Sequence, residues 1–143
     1  MILSAEQLFS DDQAITASAA STNYLDLGAP GTPHGAAAAL AQDIGKGEPI
    51  PILVQVTEDF ATLTSLTIAI EVDDNTSFSS ATVVYASEAI AAAALLAGKT
   101  IPLQFVPNDV NERYVRVNYT VSGSNATAGK VTAGITMGNQ TNK

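Results

Sequence analysis

Hydrophobic side chains recur at every second position in four stretches, and this period constrains the fold more than any other feature. Val115, Val117, Tyr119 and Val121 share one face, with Arg116, Asn118 and Thr120 on the other. Leu66, Ile68, Ile70 and Val72 alternate with Thr67, Ala69 and Glu71. Ile50, Ile52, Val54 and Val56 form a third set, and Val131, Ala133, Ile135 and Met137 a fourth. Alternation of this kind is the mark of a strand with one buried and one exposed face. Fainter patterns predict further strands at Ala81–Ala86, Thr100–Phe105, Asp12–Ala17 and Thr22–Leu27. That makes about eight strands. Turn-forming runs stand between them at 45–47, 73–75, 107–109 and 122–125. With no long amphipathic helix between the strands, we expect an all-β, two-sheet β-sandwich. A jelly roll of about eight strands is the first expectation, and an immunoglobulin-like sandwich the second. Pro51 and Pro102 lack an amide donor, so each belongs at a strand start or an edge.

Two segments depart from the alternation. Residues 28–49 hold Pro30, Pro33, Gly31 and Gly35 and then an alanine run, which predicts a long loop, with or without one helical turn. Glu88–Ala97 is rich in Ala and Leu and predicts a short helix closing one end of the sandwich. No repeat or linker divides the 143 residues, so one domain is expected over 1–143, with an N-terminal arm (1–10) and a C-terminal tail (138–143).

Composition narrows the function classes. Six Lys and Arg against fourteen Asp and Glu give a formal net charge of −8. Nucleic-acid binding draws on clustered cations that release counterions from phosphates, and Arg113 with Arg116 is the one close basic pair here. No nucleic-acid partner is expected. The longest apolar run, from Ala89, is far shorter than the roughly 18 residues of a membrane span, and the first residues show no basic signal-peptide pattern. We therefore expect no membrane association. With no cysteine, neither a disulfide framework nor a thiolate metal site can form, which fits assembly in a reducing cytoplasm. Charged residues make up 14% of the chain, against about 25% in an average domain. Few ions need be desolvated when such a surface meets another protein.

Reaction centres are hard to assemble from this inventory. His34 is the single histidine and lies in the Pro/Gly loop, which leaves zinc chemistry and a Ser-His-Asp triad without partners. Gly98-Lys99-Thr100 resembles the end of a phosphate loop, but Ala93 stands where that loop needs glycine, and a strand follows. Asp73, Asn75 and Ser77 have the spacing that opens a calcium loop, yet Phe78 and Val84 occupy the positions of its glycine and glutamate. An Asx-type turn is the plainer reading. The adjacent pairs Glu58/Asp59 and Asp73/Asp74 would point to opposite faces of a strand and cannot flank one glycosidic bond. We expect no enzyme, no cofactor and no metal.

The order of local motifs resembles the cement (decoration) proteins of tailed double-stranded DNA bacteriophages, of the small jelly-roll type. The residues concerned are Leu8-Phe9-Ser10-Asp11, the small-residue run 17–23, and Asp26-Leu27-Gly28. They continue with Asp43-Ile44-Gly45-Lys46-Gly47-Glu48-Pro49, Val54-Gln55-Val56, Asp73-Asp74-Asn75 and Phe78-Ser79-Ser80. The last are residues 113–119 and 128–134. Residues 29–42 are longer and richer in Ala, Pro and Gly than that pattern. The resemblance implies a virion protein, made in the bacterial cytoplasm, on the outer surface of an icosahedral head. Its partners would be the major capsid protein and itself, as a homodimer or a trimer. The candidate capsid-contact residues are Leu8, Phe9, Asp43, Ile44, Lys46, Glu48, Asp73, Asp74, Asn75 and Phe78. A carbohydrate- or receptor-binding module of a phage tail or cell surface shares the sandwich and is the alternative, although an aromatic platform is thin in a chain with no Trp.

Overall fold

A computed structural model describes residues 3–40, 44, 47–103, 105–108 and 110–138. Two long strands dominate it, β4 (Ile50–Asp73) and β8 (Tyr114–Thr136), paired antiparallel from Ile52↔Ile135 to Asp73↔Tyr114. Along the free side of β8 run β1 (Leu3–Ala14), β2 (Ala19–Ala20) and β3 (Leu25–Asp26), opposite Lys130, Tyr119 and Val115 in turn. Along the free side of β4 run β5 (Thr82–Ala86), β6 (Ile90–Ala91) and β7 (Phe105–Val106), with a bridge from Gln55 to Thr100 between the last two. The chain thus lays four antiparallel lanes side by side.

This ribbon is folded across its middle. Ser10 sits opposite Ala133, yet its Oγ lies 2.8 Å from the hydroxyl of Tyr119. Tyr119 and Ala133 are more than a dozen residues apart on β8, roughly 40 Å or more of extended chain. The bond can close only if the two halves of β8 face each other. The fold line falls where the register of β4 slips repeatedly, between Val56 and Ser65. Bulges of this kind bend a strand and strengthen its twist. Gly129, at φ +135°, crosses here under Phe60, and a β-carbon at that position would enter the Phe60 ring. Gly123, at φ +83°, meets Thr64 in the same way.

Folding the four lanes gives the all-β sandwich, eight strand stretches in two layers. The alternating side chains predicted from sequence supply its interior. Ile52, Val54, Val56, Val131 and Ala133 come from one half, and Leu66, Ile68, Ile70, Val72, Val115, Val117 and Tyr119 from the other. Phe9, Ile15, Leu95, Ile101 and Leu103 close the sides.

Three local expectations change. The four long alternating stretches are halves of two continuous strands, so residues 122–125 form a bend inside β8 and not a chain-reversing turn. The helix expected over Glu88–Ala97 is absent. That segment forms β6 and a single 3-10 turn, Ala92–Ala94. Its backbone is claimed by the edge of β4, where the Phe60 amide donates to the Leu95 carbonyl at 3.0 Å. Residues 28–40 form an exposed loop with no helical turn.

Candidate functional site

The outer face of one layer carries an unusual concentration of aromatic and guanidinium groups. It begins at the turn after β4. The Asp73 carboxylate is almost wholly buried and accepts four kinds of hydrogen bond. They come from the backbone amides of Asn75 (3.1 Å) and Ser80 (2.8 Å), the Asn75 Nδ2 (2.7 Å) and the Ser80 hydroxyl (3.1 Å). Burial pushes this carboxyl up, but the donors from Ser80 and Asn75 outweigh it and hold its pKa below the usual aspartate value. The turn residues thus satisfy themselves, as in an Asx turn, and no group of three or more His, Asp or Glu capable of holding a metal ion occurs among the described residues.

Within this turn Phe78 adopts φ +51°, a left-handed conformation that a bulky residue rarely takes. The strain turns its ring back onto the sheet. The Arg116 guanidinium lies 4.2 Å over the Phe78 centroid and pairs with Glu71 Oε2 at 2.7 Å. Asn118 donates to the other Glu71 oxygen at 2.9 Å. Glu71 is nearly buried, so the pair and its added hydrogen bond satisfy a charge that would otherwise be costly to desolvate.

Tyr24 extends the cluster, 6.1 Å from the Phe78 ring and 5.4 Å from Tyr114, which it meets edge-on at 88°. Arg113 lies 4.9 Å over Tyr114 and grips Asp26 through two bonds of 2.8 Å. The Arg113 hydrogen bonds, with a further one from the Gly28 amide, hold the Asp26 carboxyl below its ordinary pKa, and Asp26 in turn raises that of Arg113. The result is a row of three rings with a guanidinium at each end: Arg113, Tyr114, Tyr24, Phe78, Arg116. Tyr and Arg are the side chains enriched at energetic centres of protein interfaces. In this row Tyr24 is the exposed ring, at 46%.

A second apolar feature opens at the side of the sandwich, where the outer lane of one layer faces that of the other. Tyr85 of β5, Phe105 of β7, Pro49, Pro102, Leu103 and Pro107 line a groove of about 480 Å³. Phe105 is about half exposed there.

The candidate contact residues divide between surface and frame. Glu48 and Asp74 are exposed, while Leu8 and Asn75 are half-buried. Phe9, Ile44, Asp73 and Phe78 are buried within the chain. Phe9 and Ile44 belong to the core, Asp73 ties the turn, and Phe78 supports Arg116 from below. Asp43 and Lys46 lie outside the described residues. Tyr24, Tyr114, Arg113 and Arg116 were not among the candidates. The signal for the last three was Arg113-Tyr114-Val115-Arg116, which on a strand puts Tyr114 and Arg116 on one face, whereas Tyr24 had no such signal.

The chain belongs to the Bbp16 family, whose model matches residues 9–135, most of the sequence. No curated protein matches it.

Proposed function

We propose that the protein is a capsid cement (decoration) protein of a tailed double-stranded DNA bacteriophage. It binds the outside of the icosahedral head and bridges major capsid protein subunits, without catalysing a reaction. The observation that carries this reading is the overlap between two spans. The Bbp16 match covers 9–135, and the motifs that resemble phage cement proteins run from Leu8 to Gly134, on a folded jelly-roll frame.

The physical means would be multivalent adhesion. A copy that touches two capsid subunits makes a modest contact with each. Parting the capsomers then requires several contacts to break together, so avidity exceeds any single affinity. Surfaces suited to such contact are the row around Tyr24, the exposed Asp74, and the uncharged loop 29–40, where Leu40 is 61% exposed. The ion pairs of Arg113 and Arg116 are made within the molecule, so docking over them would leave no new charge unpaired.

Purified protein mixed with empty heads should co-sediment saturably and raise the temperature at which the heads come apart. Absence of binding to heads, together with specific binding on a glycan array, would replace this function with that of a carbohydrate-binding module.

A further inference from the structure

Aromatic rings are few in this chain, so the places where they are left in water are informative. Of its eight Tyr and Phe residues five are buried, and Tyr24, Tyr85 and Phe105 are exposed. Tyr24 belongs to the row of rings and guanidinium groups. Tyr85, 39% exposed, and Phe105, 49% exposed, come from different layers, and both line the side groove. In the sequence they stand on separate strands and suggest no common platform. The fold brings them to one site.

The groove is built to hold its shape. Pro49, Pro102 and Pro107 are rigid rings, Leu103 is buried, and the pairing of β7 with β4 fixes Phe105 opposite Pro51. A site already formed in the free protein needs little ordering when a ligand arrives. Its volume of about 480 Å³ falls within the ~300–1,000 Å³ of small-ligand sites.

Hydrogen bonding and charge select the occupant. No charged side chain is among the described residues that line the groove. The three prolines have no amide donor, and the Leu103 amide already donates to the Ile101 carbonyl at 2.7 Å. The side-chain polar groups are the Tyr85 hydroxyl and the Asn108 amide. A carboxylate, phosphate or sulfate would meet few donors here, on a molecule of net charge −8. The complement is an uncharged ligand with an apolar ring face and donors of its own. A pyranose has this character, because its C–H face stacks on aromatic rings and its hydroxyls both donate and accept.

We propose that this groove binds a neutral glycan, with sugar rings stacked on Tyr85 and Phe105 and hydroxyls bonded to Asn108, the Tyr85 hydroxyl and the proline carbonyls. The site shares no residue with the row around Tyr24, and the proposal does not rest on the cement reading.

A glycan array and titration calorimetry on the full chain test it. Maltohexaose, cellohexaose, mannohexaose and chitohexaose are the neutral probes, and oligosialic acid is the anionic one. At least one neutral probe should bind. Tyr85→Ala and Phe105→Ala should each weaken that binding about 10-fold, the order of loss when a stacking ring is removed, with unchanged melting temperatures as the check on folding. Tyr24→Ala, which removes the third exposed ring, should bind as wild type does. Binding to no neutral glycan, a preference for oligosialic acid, or full affinity in both groove variants would overturn the proposal. So would a decaproline peptide that binds while no glycan does and is lost with the same two substitutions. Heads that bind the chain while no glycan does would sink this inference and leave the cement reading standing. A glycan bound at the groove by a chain that ignores empty heads would do the reverse.

Discussion

The hydrogen bond that joins the two layers can be measured through Tyr119 and Ser10. Both side chains are fully or almost fully buried, and burial pushes the Tyr119 phenol well above its usual pKa, so it is a neutral donor at any working pH. The direction of the bond follows from its neighbours. Gln13 Oε1 accepts from the Thr22 amide at 2.9 Å, and Gln13 Nε2 donates to the Ala20 carbonyl at 2.9 Å, which sets the amide's orientation. Ser10 therefore donates its one hydroxyl proton to Gln13 Oε1 at 2.7 Å, and Tyr119 donates to Ser10. Tyr119→Phe removes one neutral hydrogen bond and strands no donor, for a loss of about 1 kcal/mol. Ser10→Ala leaves the Tyr119 hydroxyl in the core without an acceptor, which raises the loss to about 2–3 kcal/mol. With Phe already at 119 that orphaned donor no longer exists. The double variant should thus fall short of additivity by about 1 kcal/mol. Urea unfolding of the four proteins measures this, with midpoints shifting at constant slope. Additivity within ~0.3 kcal/mol, or Tyr119→Phe costing more than Ser10→Ala, would refute both the proton assignment and the contact between layers.

Other consequences are as direct. Gly129→Ala, forced into φ +135° and against the Phe60 ring, should lose ~3 kcal/mol or more, while Gly47→Ala, with open space around it, should change thermal stability little. Arg116→Ala strips the nearly buried Glu71 of its cation and should destabilise by about 2–4 kcal/mol, read by the same urea titration; an unchanged midpoint would mean that the pair is not formed. Asp12 is held below its ordinary pKa by the Thr57 hydroxyl and then by Lys130, and Asp26 by Arg113. Groups with depressed folded-state pKa values stabilise above the unfolded value and lose that contribution as pH falls through the folded one. The melting temperature should therefore be level near neutrality and decline below about pH 4. A maximum in strong acid would contradict these pairings.

The alternating strands were legible because a half-buried strand writes its period directly into the sequence. Their continuity was not. A turn that reverses the chain and a bulge that bends a strand both draw on Gly, Ser and Asn, so residues 122–125 carry the same local signal for either outcome. The deciding fact is the partner strand, since Leu63 and Ser65 of β4 pair with Gly123 and Ser122. The failed helix has a similar cause. Ala91 to Leu96 has helical propensity, but the β4 edge offers its backbone groups to Leu95 and Lys99, and pairing there overrode a weak local preference. On the candidate surface, Phe78 and Asp73 stand in a polar turn that reads as exposed. Nothing in their neighbourhood announces that the turn folds back on Arg116. Conversely, Tyr24 is isolated in sequence and acquires its meaning from Tyr114, far away along the chain and opposite it in space.

Cryo-electron microscopy of the intact virion tests the central claim most directly. Cementing predicts this jelly roll as ordered density on the outer face of the head, each copy touching more than one major capsid subunit. Density confined to the tail, or heads that lack the protein yet remain as robust as those that carry it, would contradict it.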